Sequence, residues 1–254
     1  MNNNRYGNAV VDFGKALQPS TAQAFFSTRL GGVSTGPYAS LNLGSATGDC
    51  LDSVDENFKR LRHLAGNPTR WLRVSQVHGN GIVVDNGELD GLCGEADGLV
   101  SRFSNVALST YHADCYPIYM TCCSSGVIGL AHAGWQGVRK EIGGALLSHM
   151  LQEGAVLESI RVVIGPGISG EVYRVSESLA VDFSGYFGEE VVLQRDDGPH
   201  LDLVTCIVKT IVGLGVAQAH ITCSQLCTYS DEVRFFSHRR DGARTGRMMA
   251  VMVR

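Results

Sequence analysis

The chain has 254 residues and a formal net charge of −4, with 44% hydrophobic and 18% charged residues. That length can bury a sizeable core, and the ordinary composition excludes a disordered or fibrous chain. The acidic balance leaves no basic footprint for nucleic acid, and no apolar run is long enough to span a membrane. With 31 glycines against 6 prolines, many tight turns and short strands are expected. Residues 1–5 lack an apolar signal region, so the 8 cysteines predict a reducing, cytoplasmic setting with thiols free or metal-bound.

In chain order, residues 22–28 read as a strand that runs into the glycine-rich turn 29–38. Arg29, beside Gly31 and Gly32, either suits an anion such as phosphate or is a surface arginine on a solvated turn. Ser53 and Glu56 have the spacing of a capping box, which predicts a helix running on to Ala65 and stopping at Gly66. Residues 74–78 alternate apolar and polar before Gly79, and His78 at their end is either a ligand facing a cleft or a structural histidine. Residues 81–85 form a further strand. Asp97, at the head of a strand over 97–100, either orients a ligating imidazole or forms a turn.

The most informative stretch is 111–137. Cys115 stands directly before Tyr116 and Pro117, and His132 follows the apolar run 127–131 ahead of a small-residue turn and a helix. The segment between them reads as strand and turn, so a hairpin brings Cys115 and His132 to the same end of neighbouring strands. A thiol and an imidazole so placed are a nucleophile with its base, two ligands of one metal, or a small buried hydrophobe beside a core histidine.

Farther on, apolar periodicity predicts a helix over 138–151, and 161–164 reads as a buried strand with a turn at 165–168. A short helix opens at Ser176, a longer one covers 201–214, and a strand over 248–253 closes the chain. The basic run from Arg239 to Arg247 is either a solvated face or a phosphate-binding set. Cys223 and Cys227 read as core thiols. No linker or repeat interrupts the sequence, so one domain over 1–254 is expected. Helices and strands mix without regular alternation, which favours α+β over a doubly wound sheet.

Seven pieces of the chain together resemble a known family. They are Phe-Ser-Thr-Arg-Leu-Gly-Gly-Val-Ser at 26–34, Leu-Asn-Leu-Gly at 41–44, Gln-Val-His-Gly at 76–79 and Ala-Asp-Cys-Tyr-Pro at 113–117. His-Ala-Gly-Trp at 132–135, Ile-Gly-Pro-Gly-Ile at 164–168 and Phe-Phe-Ser-His-Arg-Arg-Asp-Gly at 235–242 complete the set. In this order they resemble the YfiH-like family, labelled multicopper polyphenol oxidoreductase (laccase domain) and associated with purine nucleoside phosphorylase activity. The resemblance implies a layered α+β sandwich of mixed β-sheets flanked by helices, related to cysteine hydrolases. It carries the family's metal ligands onto His78, Cys115 and His132. The chain departs from the family pattern at Gln136, where Arg or Lys is common, at His238, where an aromatic is often seen, and at Ala243 and Arg244 in the following loop.

Two imidazoles and one thiolate suit zinc with a further position open, where water or a substrate group would be activated. Copper fits less well, because 8 histidines without a His-x-His pair hardly stretch over several copper centres. The resemblance therefore implies a zinc-dependent purine nucleoside phosphorylase whose small-molecule partners are adenosine- or inosine-type nucleosides and phosphate. Adenosine deamination is a second activity open to the same centre, with Asp114 or Asp97 handling protons. Arg29, Arg239 and Arg240 are the candidates for holding phosphate. Two other readings stand beside it: a metal-free cysteine hydrolase acting on a peptidoglycan precursor through Cys115 and His132, and a non-catalytic nucleotide- or partner-binding protein. Nothing in the sequence marks an oligomeric state.

Overall fold

Short strands separated by tight turns build two stacked sheets in this protein. The computed structural model describes residues 8–254; residues 1–5, considered above for a signal region, lie outside them. The strands are β1 (Val10–Asp12), β2 (Gln23–Ser27), β3 (Arg70–Ser75), β4 (Ile82–Val84), β5 (Gly91–Glu95), β6 (Gly98–Ser101) and β7 (Val106–His112). They continue with β8 (Tyr116–Cys122), β9 (Ile128–Ala133), β10 (Ile160–Ile164), β11 (Val192–Arg195), β12 (Gly198–Leu201), β13 (Ile221–Cys223) and β14 (Met248–Val253). The helices are α1 (Leu51–Leu64), α2 (Trp135–Arg139), α3 (Ile142–Gln152), α4 (Glu177–Phe187), α5 (Leu203–Gly213) and α6 (His238–Asp241).

One sheet has the order β1-β2-β14-β7-β3-β5 and the other β13-β10-β8-β9-β6-β4, while β11 and β12 form a separate hairpin. Both large sheets are mixed: β3 runs parallel to β5 and β7, and β7 antiparallel to β14. In the second sheet β4 is parallel to β6, while β9 is antiparallel to both β6 and β8. The fold is thus the expected α+β sandwich of mixed sheets. Between the sheets pack Phe26, Leu72, Leu108, Met248 and Ala250 from one side and Leu99, Tyr119, Ile128, Leu130 and Val163 from the other. Met249 and Val251, the alternate residues of β14, face the opposite way and meet Leu61 of α1. The outer face of the second sheet carries α3, α4 and α5 through Leu146, Phe183 and Ile207. With both faces covered, β8 and β9 are buried at every residue, which is why they read as apolar runs.

Local expectations failed in two places. The helix expected over 138–151 is two, because Glu141 adopts a left-handed backbone (φ 57°) between α2 and α3. The capping box is not used: α1 begins at Leu51 after Cys50, so Ser53 lies inside it, and Glu56 pairs with Arg60 at 2.9 Å.

The topology gathers one end of the sandwich. The parallel strands β3, β5 and β7 all end there, and each hands the chain to the other sheet, at β4, β6 and β8 respectively. The start of β14 lies at the same end, with Met248 opposite His112. Among the described residues, no helix is long and apolar enough to cross a membrane.

Candidate active site

Asp97 sits in the tight β5–β6 crossover and is fully buried. One carboxylate oxygen accepts from the His78 backbone N–H and from His132 Nδ1, both at 3.0 Å. The other accepts from the backbone N–H of Val77 at 3.2 Å and of Gly79 at 2.6 Å. Asp97 therefore shapes the β3–β4 turn and orients an imidazole, so the two roles left open by the sequence are both filled. Burial pushes its carboxyl up, but the bonds from His132 and the turn outweigh this and hold it below the usual carboxylate range.

A carboxylate only accepts, so His132 Nδ1 carries the proton and Nε2 keeps its lone pair. Burial also lowers the His132 pKa, against the pull of Asp97, and favours the neutral, ligating form. His78 follows β3 in a left-handed turn (φ 58°), and its ring meets the His132 ring edge-on at 4.9 Å. Cys115 ends the β7–β8 crossover. Donor atoms of His78, Cys115 and His132 lie within 4.8 Å of one another, near the roughly 3.3–3.8 Å that ligands of one zinc ion keep. Gly134 makes room for them, since a Cβ there would stand 2.9 Å from Cys115 Sγ and 3.1 Å from His78 Cδ2. Cys115 is only half-buried by surface, but it is densely surrounded, and desolvation with the nearby Asp114 pushes its thiol up to about 12. A thiol in that state ligates only when a cation replaces its proton. Two imidazoles beside it complete a donor set that fits a soft or borderline divalent metal. Among the described residues this is the one such cluster.

The three residues open onto a cavity of about 720 Å³, within the usual roughly 300–1,000 Å³ of small-molecule sites. Its walls include Ser45, Thr47, Arg73, Gln76, Leu92, Tyr111, His238 and Arg247. The arginines nominated from sequence lie elsewhere. Arg29 donates to the carbonyls of Ala39 and Glu232 and lies over the Phe236 ring at 4.5 Å. Arg240 is spent on Asp241 and the carbonyls of Thr228, Tyr229 and Phe235. Arg239 donates its backbone N–H to Asp114 and its guanidinium to the Arg174 carbonyl, over Tyr173. The 237–241 segment reaches the cavity through His238 instead. Asp114, on a left-handed backbone (φ 88°), spends its carboxylate on the Thr228 hydroxyl and the Arg239 N–H, both at 2.7 Å. Gln136 is exposed at the start of α2.

Other residues of the site escaped sequence reasoning. His112 is buried, and its Nδ1 lies 2.9 Å from the Cys115 carbonyl, so it donates there while Nε2 accepts from the Thr110 hydroxyl. Gln76 pairs with both backbone groups of Tyr111, at 2.7 and 2.9 Å, extending the sheet beneath the cavity. Arg247 had only its place in the basic run as a signal. The pairing of β14 beside β7 is what delivers it here.

The family model described as "Multi-copper polyphenol oxidoreductase laccase" matches residues 23–254. A Deinococcus radiodurans protein named purine nucleoside phosphorylase is 41% identical over 228 residues, covering 89% of this chain and 87% of its own length. Purine nucleoside phosphorylase YlmD of Geobacillus stearothermophilus is 36% identical over 251 residues, covering 92% and 90%. The crystal structure of the Bacillus licheniformis hypothetical protein YfiH superposes with a TM-score of 0.90 at 28% identity, over 98% of this chain and 97% of that one. The chain belongs to this YfiH-like, multi-copper polyphenol oxidoreductase laccase family.

Proposed function

We propose that the chain is a zinc-dependent purine nucleoside phosphorylase acting on adenosine- or inosine-type nucleosides, working as one domain in the cytoplasm. The observation that carries this reading is the meeting of His78, Cys115 and His132 on one cavity, in a chain whose relatives bear that name. Zinc held by these three residues would act as a Lewis acid with a position left for a further ligand. Asp97 fixes the His132 tautomer and the His78 turn, and His112 fixes the Cys115 backbone. In phosphorolysis a phosphate oxygen bonds to the ribose anomeric carbon while the bond from that carbon to the purine nitrogen breaks. The bonding pair leaves with the purine, which takes up a proton.

Deamination at the same centre has less support, because the carboxylates of Asp97 and Asp114 are both committed to other donors. The cysteine-hydrolase reading has less support, because burial raises the Cys115 thiol, opposite to the lowered pKa that marks most reactive cysteines. The test is metal analysis of the purified protein alongside phosphate-dependent release of base from inosine and adenosine. Chelation is expected to abolish release and added zinc to restore it, with bound metal protecting Cys115 from alkylation. Turnover that survives chelation but not alkylation would establish the hydrolase reading instead. Phosphate-independent conversion of adenosine to inosine would place deamination first.

A further inference from the structure

The protein carries a net charge of −4, yet among the described residues no aspartate or glutamate lines the cavity, while two arginines, Arg73 and Arg247, do. Such a lining is electrostatically set for an anion. Arg247 is rigidly placed at the head of β14. Its backbone N–H donates to Asn42 Oδ1 at 2.8 Å and its carbonyl accepts from the Leu43 N–H at 3.0 Å. Nη1 donates to the carbonyls of Thr245 and Gly246, both at 3.0 Å, which leaves Nε and Nη2 without a partner among the described residues. Its stem lies against Gly44, where a Cβ would come within 2.7 Å of Arg247 Cγ.

The loop beside it is held by the same asparagine. Asn42 accepts from the Gly44 N–H at 3.0 Å and donates to Thr47 Oγ1 at 2.9 Å and Asp49 Oδ2 at 3.0 Å. Within this fixed loop the backbone N–H groups of Ser45, Ala46 and Thr47 donate to no atom among the described residues. Arg73 is the second cation of the lining. It reaches the Tyr111 hydroxyl through Nη1 at 3.3 Å and lies over Phe58 at 5.2 Å, and its buried Nε has no partner among the described residues.

We propose that Arg247 and the Ser45–Thr47 backbone form an oxyanion subsite in the cavity, with Arg73 as its supporting charge, and that inorganic phosphate is the anion it takes. The choice of phosphate rests on the reaction proposed above; the subsite itself rests on the lining. A fork of guanidinium N–H donors beside unpaired backbone N–H groups matches the several acceptor oxygens of a phosphate. It holds the nucleophilic oxygen beside the thiol and imidazoles, where the bond to the anomeric carbon forms as the bond to the purine breaks and the purine is protonated.

The test uses the zinc-loaded full chain and inorganic phosphate as the probe, read by calorimetry and by the KM for phosphate. Arg247→Gln is expected to weaken phosphate about 10- to 100-fold, with the KM for inosine and the zinc content little changed. Arg247→Lys should recover part of the loss, and Arg244→Gln, at an exposed arginine, should lose nothing. Phosphate binding by Arg247→Gln within about twofold of wild type, well short of the loss expected for a charged hydrogen bond, would overturn the subsite. If Arg247→Gln fails to load zinc, Arg247→Lys decides: phosphate weakened by less than about tenfold with the KM for inosine unchanged supports charge at this position, and equal loss of inosine and phosphate overturns it. Wild-type protein that binds phosphate but releases no base keeps the subsite and removes the reaction. Wild-type protein that releases base while Arg247→Gln keeps its phosphate affinity does the reverse.

Discussion

Replacing Asp97 by Asn changes almost no volume but should damage the centre in two separable ways. The carboxylate accepts four hydrogen bonds, two on each oxygen. An amide keeps one acceptor oxygen, so whichever way it is turned its NH2 faces two N–H donors. If the NH2 faces His78 and His132, the imidazole must accept at Nδ1, and its proton moves to Nε2 and removes the ligand lone pair. If it faces Val77 and Gly79, the turn that presents His78 loosens. One or two donors then lose their acceptor, at about 1–1.5 kcal/mol each, so the metal-free protein should lose about 1–3 kcal/mol. For a chain of this size that corresponds to a fall in Tm of about 2–12 °C. Zinc affinity, measured by competition with a chromophoric chelator, should fall about 10- to 100-fold, as when other outer-shell partners of ligating histidines are removed. Wild-type zinc affinity together with a Tm unchanged to within a degree would refute the view of Asp97 as the organiser of the site.

Gly134→Ala places a methyl against Cys115 Sγ and His78 Cδ2; the purified variant should stay folded by circular dichroism but carry little metal, and full zinc occupancy would show that the centre tolerates that volume. Asp85, far from the site, is held below the usual carboxylate range: burial pushes it up, but paired bonds from Arg70 at 2.7 and 2.9 Å and one from Ser101 at 2.7 Å prevail. A depressed carboxyl contributes stability that is complete above its unfolded pKa of 3.8 and is lost as pH falls through its folded value. Denaturant unfolding should therefore show Asp85→Asn less stable than wild type by about 3 kcal/mol at pH 7, with the gap shrinking as the solution is acidified below about pH 4; a gap independent of pH would contradict the shift.

The meeting of His78, Cys115 and His132 was legible from their shared strand-end contexts and from the family resemblance, and Cys115 and His132 share a hairpin. Asp97 was legible only as a choice, since a turn-forming aspartate and one that orients an imidazole look alike until the four donors are in place. The arginines were not legible. Arg29 and Arg247 both sit near glycines, and only the long-range neighbours decide that the first is covered by Phe236 while the second opens on the cavity. The pairing of β3 between β5 and β7 was equally hidden, because parallel partners leave no local turn signal. Glu141 shows the opposite failure, where a correct apolar period ran through a backbone break that periodicity does not register.

The crossovers at one end of the sandwich give a bound metal a mechanical role. His78 and Cys115 lie on segments that leave the first sheet for the second, and His132 belongs to the second. An ion held by all three clasps the layers together, and no partly assembled layer can hold it. Binding then stabilises only the closed sandwich, by about 2.7 kcal/mol when free metal is a hundredfold above its Kd. A protein starved of metal should part first along this seam, and the rate at which a protease nicks the crossover loops would serve as a gauge of metal supply.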